Sequence, residues 1–98
     1  MLYALICTDK PNSLGLRKAN RPAHVEYLQS LGETLAFAGP FVAEDGATMN
    51  GSLVVVEAPS LAAARKIAAG DPFAKAGLFT SVDIRPWLWT MNAPDEEE

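Results

Sequence analysis

The chain holds one histidine, His24, and histidine is the side-chain type whose ordinary titration lies closest to pH 7. General acid/base chemistry at neutral pH would fall to it most naturally. Such a histidine needs an orienting group. A carboxylate bonded to one ring nitrogen fixes the tautomer and leaves the other nitrogen to take or give a proton. Asp71, which opens the tight Asp71-Pro72-Phe73 turn at the mouth of the helical layer, is the candidate orienter. Each residue also has a purely structural reading. A lone histidine on an apolar helix face is often a satisfied core residue, and an aspartate before proline is a standard helix N-cap.

Arg17 and Arg21 lie four apart just before His24 and could form a cationic edge that holds a substrate carboxylate or phenolate. A solvated helix face accounts for the same spacing. Tyr3 and Phe73 could line a pocket wall, since small-molecule sites are largely apolar. Met49, Phe73, Trp87 and Trp89 do not read as a flavin or haem box; aromatics on a last strand suit an interface core better. One histidine and one cysteine make no metal ligand set, and the acids lack the spacing of one. Neither GxGxxG nor GxxxxGK[ST] occurs, so no phosphate-cradling loop is expected.

The elements that must position these residues follow from pattern and punctuation. Leu2 to Thr8 is apolar at both parities, as in a strand covered on both faces. After the Asp9 to Ser13 turn cluster, a helical stretch spans about Leu14 to Leu31. Pro22 suits a first turn, which predicts a short turn and then a firmer helix from Pro22 carrying His24, Tyr27, Leu28 and Leu31 on one face. Gly32 stops it. Thr34 to Val42 reads as a strand interrupted at Gly39-Pro40, and Ser52 to Glu57 as its hairpin partner. Ser60 caps an Ala-rich helix from Leu61 to Ala69, and Asp71 opens one further helical turn closed by Gly77. Leu78 to Trp89 is the final strand.

Strand, helix, strand, strand, helix, strand is the ferredoxin-like βαββαβ order: an α+β fold with one antiparallel sheet and its helices on one face. The first, third and last strands are apolar on both sides, so the bare face is expected to be covered by a second copy of the chain. At 98 residues the chain suits one domain, residues 1–90, followed by an acidic disordered tail, residues 91–98. Four of the 12 acids stand together as Asp95, Glu96, Glu97 and Glu98, and the other 8 balance the 8 lysines and arginines. With no basic cluster, nucleic acid is not expected as a partner. No signal sequence or bilayer-length apolar run is evident, so a cytoplasmic protein without membrane contact is expected. Cys7, alone among apolar neighbours, reads as a packed thiol.

Arg21-Pro22-Ala23-His24 opening a helix, Ala38-Gly39-Pro40 after it, Gly51-Ser52 starting a strand, and Asp71-Pro72-Phe73 with Ala76-Gly77 together resemble the YCII-related (YciI-like) family. The resemblance spans about Met1 to Trp89. It implies a ferredoxin-like fold that dimerises into an α+β barrel, similar to muconolactone isomerase and small cofactor-free monooxygenases. It also implies an active site built on the family's His and Asp, matching His24 and Asp71. A few members are linked to dehydrochlorination of hydroxylated aromatic compounds. The scaffold hosts many functions, so chemistry must be argued from the site.

The resulting expectation is a lyase or isomerase in which His24, oriented by Asp71, moves a proton on a small cyclic or aromatic, anionic substrate without a cofactor. Arg17 or Arg21 would hold the anion and Ser52 would donate a hydrogen bond. The alternatives are a non-catalytic dimeric module that binds a metabolite or partner chain, and cofactor-free oxygenation in the same pocket.

Overall fold

The computed structural model describes residues 1–94. Asp95 to Glu98, and with them the charged end of the expected disordered tail, lie outside the described residues. Strand β1 is Leu2–Asp9, helix α1 Leu14–Ser30, strand β2 Leu35–Val42, strand β3 Met49–Glu57, helix α2 Leu61–Gly70, the short helix α3 Pro72–Lys75 and strand β4 Phe79–Trp87. The strands form one sheet in the order β2-β3-β1-β4, with every neighbouring pair antiparallel. This is the expected ferredoxin-like βαββαβ arrangement.

Alternation along the strands sorts their side chains to two faces. Tyr3, Leu5 and Cys7 of β1 face the same side as Val54 and Val56 of β3, and on them pack Leu28 of α1 and Ala64 of α2. Each fully buried aliphatic side chain of this layer contributes about 1.5–3 kcal/mol. Tyr27 ties the two long helices, its hydroxyl donating to the Ile67 carbonyl at 2.7 Å. Ser60 caps α2 as expected, accepting from the Ala63 N–H at 3.1 Å. Gly32, at φ +57°, takes the left-handed turn that ends α1 and leads into a single 3-10 turn.

The two-part helix expected around Pro22 is instead one unbroken helix, α1, with Pro22 inside it. An interior proline removes one intrahelical donor and costs about 3 kcal/mol. Arg17, His24 and Leu28 share one buried stripe that continues past the proline, and burial on both sides holds the helix together. The expected break at Gly39-Pro40 is also absent. Both residues pair with β3, and the register shifts fall instead between Leu35 and Phe37 and between Phe41 and Val42. Because β2 is an edge strand, the missing N–H of Pro40 need not cost a ladder bond. The last strand ends at Trp87, leaving Trp89 beyond it, with its indole N–H donating to the Met91 carbonyl at 2.9 Å.

The other face of the sheet carries Leu2, Ala4, Ile6, Leu53, Val55 and Phe37, but β4, expected to be apolar on both sides, places Asp83 and Arg85 there opposite Ile6 and Ala4. Phe37, Trp87 and Trp89 cluster at one end, with ring centroids 4.9 to 5.8 Å apart. Val55, the ladder partner of Phe37, is 1% exposed although it faces away from the helices. No helix among the described residues is long and apolar enough to cross a membrane.

Candidate functional site

Helix α1 and the start of α3 bring His24 and Asp71 together across 47 residues of sequence. His24 Nδ1 lies 2.9 Å from both Asp71 oxygens, and both residues are buried. A carboxylate only accepts, so Nδ1 carries the hydrogen and Nε2 is the basic nitrogen of the neutral ring. Asp71 holds its place because it also caps α3: Oδ1 accepts from the Phe73 N–H at 2.9 Å. Capping and orienting are done by the same carboxylate.

Phe73 fixes the other freedom of the imidazole. Its ring stacks on His24 at 4.0 Å between centroids, with planes 15° apart. The Arg17 guanidinium carbon lies 4.5 Å from the same ring's centroid. Two groups that close cannot share one face, so Phe73 sits between His24 and Arg17, which are two helical turns apart on α1. Phe73 is completely buried, and the sandwich supports the site from behind.

Arg17 is no exposed cationic edge. It is 2% exposed and forked onto Asp9 at the end of β1, with Nε to Oδ2 at 2.7 Å and Nη2 to Oδ1 at 3.0 Å. Nη2 also donates to the Ser52 hydroxyl oxygen at 2.8 Å. The i, i+4 spacing suggested that Arg17 and Arg21 act alike, and they do not: Arg21 is exposed and makes no ion pair among the described residues. Asp9, which reads in sequence as a turn residue, is the partner that spacing could not supply.

A cavity of about 150 Å³ opens beside these groups, lined by Arg17, Arg21, His24, Ser52 and the apolar walls of Leu28 and Val54. Ala38, Gly39 and Pro40 of β2 close one side. Gly51 lets β3 approach this level, since a Cβ there would stand 2.5 Å from the Cys7 carbonyl oxygen. Tyr3 does not line the cavity. It is in the core, four residues or about 13 Å along β1 from Cys7, the partner of Ser52. Phe73 is behind the wall rather than in it.

His24 Nε2 makes no hydrogen bond among the described residues, and no buried side-chain nitrogen or oxygen there lacks a partner. Nε2 therefore keeps contact with open space, and the cavity it helps to line provides that space. The charge of Asp71 is felt nearby: the Cys7 thiol is pushed up to about 12, first by burial and then by Asp71. Tyr27 is raised from its ordinary value by the same two causes in the same order. Among the described residues no three His, Cys, Asp or Glu side chains are grouped as metal ligands would be.

The geometry has counterparts. A family profile described as the YCII-related domain matches residues 1–88. Protein YciI of Escherichia coli O6:H1 is 39% identical over 94 residues, covering 89% of this chain and 96% of that protein. The structure of 5-chloro-2-hydroxyhydroquinone dehydrochlorinase, TftG, from Burkholderia phenoliruptrix AC1100 in complex with 2,5-dihydroxybenzoquinone is 34% identical. It superposes with a TM-score of 0.82, covering 90% of this chain and 94% of that one. An antibiotic biosynthesis monooxygenase at 16% identity and a TM-score of 0.52, with 90% and 99% covered, shares the fold alone.

Proposed function

The chain belongs to the YCII-related family, and from that premise we propose that it is a small-molecule enzyme in which His24 moves a proton on a hydroxylated, anionic ring. The observation that carries this reading is the imidazole itself. Asp71 holds its edge at 2.9 Å, Phe73 holds its face at 4.0 Å, and Nε2 is left for the cavity. Immobilising the base in this way removes the reorganisation that a free histidine would need at the moment of transfer.

The relative TftG, a dehydrochlorinase seen with a dihydroxyquinone, supplies the substrate class. On such a ring, loss of one hydroxyl proton and protonation of the carbon bearing a halogen gives a keto tautomer. Loss of a second hydroxyl proton then restores conjugation as the halide departs, and the net change is loss of HX. Nε2 of His24 is the group that accepts and returns these protons. Arg21 at the cavity rim attracts the anion. The apolar walls of Leu28, Pro40 and Val54 suit a flat ring.

The face of the sheet without helices, apolar on β1, β2 and the middle of β3 and charged at Asp83 and Arg85 on β4, supports the expectation that two chains associate through it, closing the barrel around the sites. Chloride release from chlorinated hydroxyhydroquinones tests the chemistry. Wild type should release chloride, and His24→Ala should lose about 10²-fold or more of the rate with an unchanged circular dichroism spectrum. A folded His24→Ala variant that turns over at the wild-type rate would remove His24 from the mechanism.

A further inference from the structure

The start of β3 carries Met49, a side chain that the acid/base reading does not use. Phe41 pairs with Gly51 and Val42 with Met49, so one step along β2 spans two along β3, and Asn50 is the extra residue of a β-bulge. The bulge decides which way Met49 faces. In an unbroken strand it would share the side of Gly51 and Leu53, away from the helices. Paired with Val42 it takes the opposite side, that of Ser52 and Val54. There Met49 and Leu14, in the first turn of α1, are both half-buried and line one cavity of about 360 Å³.

That cavity adjoins the one beside His24. Arg17 and Arg21 line both, and Leu14, Arg17, Arg21 and His24 follow one another along α1 at steps of three, four and three, which keeps them on one stripe. From Leu14 to His24 the stripe is about 15 Å long. The outer cavity has apolar walls: Leu14 on the helix, Met49 on the strand and Ala47 in the loop between β2 and β3. Lys18 and Arg21 line it as exposed residues, and long side chains of this kind lay their methylenes along apolar surface with the charge in water. Its one buried charge, on Arg17, is already paired with Asp9. The loop wall is preformed, since the Asp45 carboxylate accepts from the Ala47 and Thr48 N–H groups at 2.8 and 2.9 Å and the Ala43 N–H donates to the Thr48 carbonyl at 2.8 Å. What this recess offers a guest is apolar surface.

We propose that Met49 and Leu14 form a second, apolar subsite for an alkyl arm on the substrate ring, so that hydroxylated rings carrying an alkyl chain are preferred to unsubstituted ones. The inference rests on the acid/base reading of His24 and deepens it by narrowing the substrate: the ring lies at His24 and the arm runs along α1 toward Leu14. Met49 is the specificity-determining residue, because an unbranched thioether adapts its shape to chains of different length. Each methylene that leaves water for such a wall is worth up to about fourfold in affinity.

The experiment is a spectrophotometric titration of wild type, Met49→Trp and Met49→Gln with 2,5-dihydroxybenzoquinone and with its 3-methyl and 3-hexyl derivatives. The two free positions of this ring are equivalent by symmetry, so a single hexyl isomer presents the arm in either orientation. Wild type should bind the hexyl ring about tenfold or more tighter than the methyl ring. Met49→Trp, which fills the recess, should abolish that preference. Met49→Gln, which keeps the length of the side chain and loses its apolar end, should reduce it by about threefold or more, and both variants should bind the unsubstituted ring within about twofold of wild type. A wild type without the preference, a preference that survives unchanged in either folded variant, or an equal loss for hexyl and unsubstituted rings overturns the subsite, while binding of the unsubstituted ring to wild type leaves the reading of His24 standing. A wild type that binds none of the three ligands overturns both the subsite and the substrate class on which it rests.

Discussion

Both carboxylate oxygens of Asp71 lie 2.9 Å from the same atom, Nδ1 of His24. One N–H shared between two acceptors fixes the direction of the ring more firmly than its distance alone requires, and the carboxylate is itself fixed by the Phe73 N–H. Asp71→Asn tests the arrangement because it keeps an acceptor oxygen for the α3 cap while removing the second equivalent oxygen and the charge. The expected outcome is a loss of turnover on the order of 10²-fold or more, as the ring loses its enforced tautomer. The stability loss should be smaller, about 1–2 kcal/mol, because the cap survives in part. Paired chloride-release assays and urea unfolding would measure both; equal turnover for the two proteins would show that Asp71 serves α3 alone.

Arg17 and Asp9 form a buried ion pair, with side chains 2% and 5% exposed. Removing one partner strands the other charge. Arg17→Met should therefore destabilise the protein by about 3–5 kcal/mol, while Arg17→Met combined with Asp9→Leu should recover much of the loss. A double-mutant cycle read by urea unfolding checks this. Additive losses would mean that the pair is not coupled, against its geometry.

Ile6 lies on the sheet face that carries no helix, between Leu53 of β3 and Asp83 of β4. If two chains close over that face, light scattering at micromolar concentration should give twice the chain mass of 10.5 kDa. Ile6→Glu should shift the protein to monomer, since the new carboxylate stands directly opposite that of Asp83 and the interface would have to bury two like charges together. A wild-type monomer at that concentration would sink the dimer.

Much of the scaffold is readable in the sequence because it is written in local chemistry. Ser60 and Asp71 are cap residues in the positions their types predict, and the strand and helix order follows from periodicity. Residue type and turn position make His24 and Asp71 candidates for a pair, and the family resemblance strengthens the pairing, because nothing local links residues 47 apart. Three features resist reading for separate physical reasons. Pro22 is judged by its local cost, yet the stripe buried around it decides the outcome. Arg17 has the spacing of a surface residue, but the reversal between β1 and α1 delivers Asp9 to it. Tyr3 has the right composition for a pocket wall and lies at the wrong level of the sheet.

Cys7 connects the site to a measurable dependence on pH. Its thiol is buried on the helix-facing side of β1 and is pushed up from an ordinary value of 9.0 to about 12, by burial first and the Asp71 charge second. Between those values the folded chain keeps a proton that the unfolded chain releases. The folded state then binds more protons than the unfolded one, and stability falls as pH rises through the window; below pH 9 both states are protonated and Cys7 adds no slope. The thiol's share is limited to about 1.4 kcal/mol per pH unit. Lysines and tyrosines titrate in the same range, so the informative quantity is a difference: Cys7→Ala should lose less stability than wild type between pH 9 and 10.5 in urea unfolding. Thiolate is the reactive species, and the same burial predicts that an aromatic disulfide reagent at pH 8 leaves folded Cys7 unmodified and labels it fully in urea. Rapid labelling of the folded protein, or equal slopes for the two proteins, would show that the thiol is not held as its position in β1 implies.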